Sequence, residues 1–228
     1  MSSIITTKLF RQFFIYYFLI VLGITLLLLA FGNTILNELK YDLVKVTDTK
    51  YVLQSPNTNT GQNQPNSNLF KALITGQEVS LKPPSPNAIV IEKIGVAAPV
   101  IKDVSVTDEK EYFEALKKGV AHARGKAFFG ERGNVYLFAH SSIEFWKMGP
   151  YATVFNQIRK LEKGDIIHTF NNGKRYDYVV YDKKIVPGFD TSPYKADYPT
   201  SILTLQTCDP PGTQLNRLII RARMVSSK

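Results

Sequence analysis

The 228-residue sequence contains a single cysteine, Cys208, so it forms no internal disulfide. It contains three histidines, His122, His140 and His168, which limits the sources of imidazole chemistry. No acidic cluster or Cys/His spacing reads as a metal site, and no cofactor is expected. There is no internal repeat, and no interleaved aromatic and basic motif of the kind that binds RNA. Nucleic acid is therefore not expected as a partner, although the net charge is +9. The alternatives for that charge are an anionic lipid surface, an anionic wall polymer, or ordinary solubilising charge.

Charge is also missing from the 19 residues Phe13 to Phe31. As a helix rising 1.5 Å per residue, this stretch spans roughly 28 Å, close to the thickness of a bilayer's hydrocarbon core. A cleaved signal peptide is the rival reading. Its apolar region would be shorter, about 7–15 residues, so the stretch reads as an uncleaved anchor. Lys8 and Arg11 precede it with no acidic residue among them, which places the N-terminus in the cytoplasm and the rest of the chain on the extracellular face. A thiol kept in an oxidising space is a liability, which favours a reactive over a merely packed Cys208.

Gln54 to Asn68 contains neither a charged nor an apolar residue and reads as a disordered linker. The expected organisation is a cytoplasmic N-terminus (1–12), a transmembrane anchor (13–31), a stalk and linker (32–68) and a folded domain (69–228). Leu69 to Glu78 suggests a short helix. Beyond Pro86 the pattern is mainly β. Strands are expected at Ala88–Lys93, Ala98–Ile101, Asn134–Ala139, Asp165–Phe170 and Arg175–Tyr181, the last two joined by an Asn172-Gly173 hairpin turn. Helices are expected at Asp108–Lys118 and Tyr151–Leu161, the second with Val154, Phe155, Ile158 and Leu161 as its apolar stripe. Many short strands with few helices predict a closed or sandwich-like β fold.

The last two strands carry the chemistry. Leu203 and Leu205 share one face of a strand, and Thr204, Gln206 and Cys208 share the other. In Arg217–Met224, Leu218, Ile220, Ala222 and Met224 form the apolar face, with Arg217, Ile219, Arg221 and Arg223 opposite. The residues between, with Pro210, Pro211 and Gly212, read as a connecting loop. If the strands pair as a hairpin, Cys208 and Arg217 face each other across its mouth, with Cβ atoms about 5 Å apart. A guanidinium there favours thiolate over thiol and offers planar donors to an oxyanion. Arg221, farther along the strand, reads as a solvated residue. Acyl transfer also needs a proton donor for the leaving amine. His140 ends an apolar strand; His122 precedes a Gly-containing turn and is able to line the same cleft; His168 reads as a surface or rim residue. The sequence geometry leaves His140 and His122 both open.

The segment Thr204-Leu205-Gln206-Thr207-Cys208 resembles the Thr-Leu-x-Thr-Cys strand of sortases, membrane-anchored cysteine transpeptidases. Arg217-Leu218-Ile219-Ile220-Arg221-Ala222, Gly133-Asn134 through His140-Ser141, Gly164-Asp165-Ile166 and Ile91-Glu92-Lys93-Ile94-Gly95 resemble four further landmarks of that family. The resemblance covers about residues 88 to 225. It implies a closed sortase-like β-barrel of short strands, His140, Cys208 and Arg217 as catalytic residues, and Thr207 as a residue that shapes the substrate groove. Ala139 stands where the family usually has glycine. Neither a second membrane span after the last strand nor an Asp-Pro-aromatic lid before the first is seen, which argues against the pilin-polymerising class.

The implied reaction is cleavage of a C-terminal signal similar to Leu-Pro-x-Thr-Gly on a surface protein. The acyl group then passes through a thioester to an amine from a peptidoglycan precursor or a partner protein. The rival readings are a membrane-anchored cysteine protease with water as acceptor, and a non-catalytic basic β domain that binds anionic wall polymer.

Overall fold

A computed structural model describes residues 2–46, 50–54, 78–141 and 150–227. Most of the uncharged run after Gln54, and most of the helix expected up to Glu78, lie outside them. Two compact units divide near Leu39. The first is helical. α1, Ser2–Val46, continues well past the apolar span, and over Arg11–Leu28 it is long and apolar enough to cross a membrane. Such an N-terminal helix fits a single-pass anchor.

The second unit is built on a closed eight-stranded barrel. Before it come two short strands, β1 (Tyr51–Leu53) and β2 (Val79–Leu81), paired in parallel. The barrel strands are β3 (Ala88–Ile91), β4 (Val96–Val104), β5 (Val120–Ala123), β6 (Gly133–Phe138), β7 (Ile166–Asn171), β8 (Lys174–Pro187), β9 (Ser201–Asp209) and β10 (Asn216–Ser227). They close in the order β10-β8-β7-β3-β4-β5-β6-β9. β9 is hydrogen-bonded to β6 in parallel and to β10 in antiparallel fashion, which brings two distant segments beside the cysteine strand.

Local sequence explains the turns. β7 and β8 are joined by Asn172 (φ 51°) and Gly173 (φ 84°), both left-handed, as a two-residue hairpin of matching twist requires. Gly95 has φ 62°, and a Cβ there would lie 2.7 Å from the Tyr51 ring. The glycine thus lets β1 close onto the barrel, where Leu53 N also donates to Glu92 Oε1 at 2.7 Å.

Inside the barrel, Ile89, Val135, Leu137, Ile167, Leu203, Leu205, Leu218 and Ile220 belong to one buried cluster. The alternation read from β9 and β10 therefore holds. Full burial of such side chains contributes about 1.5–3 kcal/mol each.

Three expectations need correction. The segment after Tyr151 forms turns and a 3₁₀ helix, Asn156–Lys160, rather than an α-helix. Its fully buried residues Phe155, Ile158 and Leu161 recur every three positions, which suits three residues per turn. His168 is buried, not on a rim. It sits opposite Asp177 in the β7–β8 register, and its Nδ1 lies 2.7 Å from Asp177 Oδ1. Arg175 and Ser226 also donate to Asp177. Burial alone would raise the Asp177 carboxyl, but these hydrogen bonds outweigh it and hold the group at about 2. Nor is Arg221 solvated: its side chain is 13% exposed and pairs with Asp182 at 2.9 Å, the residue opposite it on β8.

Candidate active site

The β9–β10 register pairs Cys208 with Arg217 directly, so thiol and guanidinium share the hairpin mouth. Their strand neighbours Thr207 and Leu218 point into the barrel and are buried, which leaves Cys208 and Arg217 on the outer face, each partly exposed. Arg217 Nη1 donates to the carbonyls of Gln214 (3.2 Å) and Asn216 (3.1 Å). These bonds hold the cation on its own loop and leave the remaining guanidinium donors for an incoming oxygen.

His140 reaches the same end from the other side of β9. Phe138 pairs with Gln206 in the parallel β6–β9 register, and Ala139 N donates to Gln206 O at 3.2 Å. Continued by two residues, this register sets His140 level with Cys208. Cross-links then pin the two segments. Thr207 Oγ1 donates to Ala139 O at 2.9 Å, and Ser141 Oγ donates to Cys208 O at 2.7 Å. Gly212 N donates to Ser141 O at 2.6 Å. Arg159 braces the next residue along β9 through Asp209 Oδ1, at 3.0 Å. Thr207 thus fixes the strand end that carries His140.

The helix α2, Glu109–Lys118, supplies the remaining wall. Its N-cap, Asp108, accepts from Glu111 N, and Ala115 and Leu116 are buried. Phe113 on α2 meets the His140 ring, with centroids 5.3 Å apart.

Burial pushes the His140 imidazole below its ordinary pKa, so it rests neutral at pH 7. Among the described residues its buried Nε2 has no hydrogen-bond partner, a costly condition for a group that only packs. His122 differs. Asp103 N donates to its Nδ1 at 3.3 Å, and its Nε2 lies 2.9 Å from Ala127 O. Nδ1 must accept, so Nε2 carries the proton and donates. Both nitrogens are committed to backbone, and the residue is 3% exposed. The two histidines that spacing alone left open thus differ in their hydrogen bonding.

A family model described as "Sortase domain" matches residues 89–225. The chain belongs to the sortase family. Sortases are cysteine transpeptidases that act on surface proteins bearing sorting signals. Among solved structures, sortase C-1 from Actinomyces oris is 27% identical, with a TM-score of 0.51 over 63% of this chain and 76% of that one. Sortase A of Listeria monocytogenes is 22% identical, with a TM-score of 0.51 over 63% and 88%. A Clostridium perfringens sortase D5 transpeptidase is also 22% identical, with a TM-score of 0.50 over 72% and 91%. The last two likenesses concern the fold. A comparison with curated protein sequences finds no match.

Sequence reading missed several residues of this sortase site. Phe113 lies on a helix that the sequence pattern did find, next to Tyr112, which with Ala115 and Leu116 sets its apolar side. Ser141 belongs to the segment that resembles the family, but its bond to Cys208 O is not visible until the parallel β6–β9 register is known. Tyr136 from β6 donates to Gln206 Oε1 and meets the Tyr194 ring edge-on at 5.4 Å. Asn134 Nδ2 donates to Pro193 O (3.0 Å) and Ala196 O (3.1 Å). Together they fasten the segment before β9 to β6, the neighbour of the cysteine strand.

Proposed function

We propose that this sortase is a membrane-anchored transpeptidase with its catalytic domain outside the cell. It cleaves a C-terminal signal similar to Leu-Pro-x-Thr-Gly on a surface protein and transfers the acyl group to an amine acceptor. Cys208 Sγ attacks the threonine carbonyl, and the tetrahedral oxyanion takes hydrogen bonds from Arg217. His140 accepts the thiol proton and returns it to the departing amine, leaving a thioester on Cys208. An incoming amine, from a peptidoglycan precursor or a partner protein, loses a proton to His140 and displaces the thiol.

The observation that supports this most is the register pairing Arg217 with Cys208, beside a strand end whose histidine has an unused ring nitrogen. The apolar helix, with Lys8 and Arg11 near its start, supports a single-pass anchor with a cytoplasmic N-terminus.

The test is product analysis with a sorting-signal peptide, with and without added amine. Amide product that replaces free acid as amine rises is the expected result. Free acid alone at every amine concentration would make the enzyme a hydrolase. Binding of anionic polymer that survives thiol alkylation, without cleavage, would remove catalysis altogether.

A further inference from the structure

Among the described residues the His140 ring has no hydrogen bond at Nε2 to fix its orientation, which leaves that task to packing among them. Phe113 provides the ring contact, at 5.3 Å between centroids and 39° between planes, within the range of favourable aromatic pairs. Phe113 is itself backed by Tyr112, with centroids 4.9 Å apart and planes at 23°. Tyr112 packs on the barrel core alongside Ala115 and Leu116. A continuous stack therefore runs from the core through Tyr112 and Phe113 to the imidazole, carried by a helix with a capped N-terminus.

We infer that Phe113 is a positioning residue for His140: its ring seats the imidazole at the end of β6 and shields it from water. This rests on the reading of His140 as the proton-transfer group. The charged and titratable groups that act on the neighbouring Tyr112 are Glu109 on α2, Cys208 on β9 and Arg217 on β10, and none of them is among the causes that act on His140. Loss of solvent is the cause that holds the imidazole neutral. A residue that excludes solvent there controls how far into acid the base stays available.

The test uses the full-length chain in detergent micelles with labelled histidine, whose three imidazoles are titrated by NMR. In the wild type His140 titrates below an ordinary imidazole. Phe113→Ala moves it up toward the ordinary value, while His122 and His168 stay in place; Phe113→Leu, still apolar, leaves His140 near wild type. The same shift appears in kcat/KM. A higher His140 pKa leaves less neutral base at pH 6 than at pH 8, so Phe113→Ala loses more at the acid end, by roughly three- to tenfold. An unmoved His140 in Phe113→Ala, or an equal shift in Phe113→Leu, overturns the inference. If circular dichroism shows Phe113→Ala unfolded, Phe113→Gln replaces it; the same upward shift is expected there, and an unmoved His140 again overturns the inference. A predicted shift in a protein that never forms a thioester supports the positioning role and rejects the functional reading instead.

Discussion

Two polar regions of the barrel each contain a histidine, and they are finished differently. At the β7–β8 pair, His168 meets Asp177, which also takes Arg175 and Ser226. At the β9–β10 mouth, Cys208 is a partly exposed free thiol, and His140 holds a buried nitrogen with no partner among the described residues. A satisfied buried network rigidifies a fold, whereas an unsatisfied buried group costs stability and persists where it has another use. On the proposed reading, this difference in hydrogen bonding goes with a scaffold role for the first region and a catalytic role for the second.

The sharpest test of this contrast is to remove each histidine's chemistry. His140→Ala should lower kcat/KM by about 10²–10⁴-fold, the usual range for a general acid–base group. His122→Ala loses two backbone partners, so it should lower thermal stability while costing much less in rate. Equal losses of activity in the two variants would mean that the site is wrongly divided.

Arg217→Lys should come next. It retains the charge but loses the planar fork, and removal of one oxyanion donor typically costs about 10²–10³-fold. Arg221→Lys on the same strand face should cost less than about tenfold, since Arg217 alone pairs with Cys208. Kinetics of both variants, with folding checked by circular dichroism, decide the matter. A crippled Arg221→Lys beside a healthy Arg217→Lys would break the assignment.

The scaffold half of the comparison predicts an effect on stability instead. Asp177→Asn leaves the buried His168 and the half-buried Arg175 and Ser226 without their anion and should cost about 1–3 kcal/mol, with activity per folded molecule unchanged. The sign of the pH effect follows from a folded-state carboxyl held at about 2, below its ordinary 3.8. Its contribution is complete above the ordinary value and is lost as pH falls toward the folded one. Unfolding temperatures measured down this acid range should fall more steeply for the wild type than for Asp177→Asn. Parallel slopes would show that the carboxylate is not the anchor of that cluster.

Much of this architecture is legible in the sequence, for local reasons. Period-two alternation in β9 and β10 reports which face is apolar, and a hairpin sets its own register, so the Cys208–Arg217 pairing can be read directly. Asn172-Gly173 announces its turn. Contacts between segments distant in sequence are not legible. Nothing local says that β6 lies parallel to β9, so neither Ser141 nor the choice between His140 and His122 can be reached from spacing. His168 and Arg221 each alternate like a surface residue; the carboxylates that permit their burial, Asp177 and Asp182, lie across a strand pair. The apolar positions after Tyr151 stand out in the sequence, but a three-residue spacing over so short a stretch is hard to tell from the α-helical period.

The central claim is that Cys208 carries the acyl group, and the mass of the intact protein tests it most directly. Mixed with a sorting-signal peptide and trapped in acid, the wild type should gain the mass of the peptide up to its threonine, bound as a thioester that hydroxylamine removes. Cys208→Ala, folded by circular dichroism, should gain nothing and cleave nothing. Cleavage retained in Cys208→Ala, or an adduct on any other residue, would contradict the account.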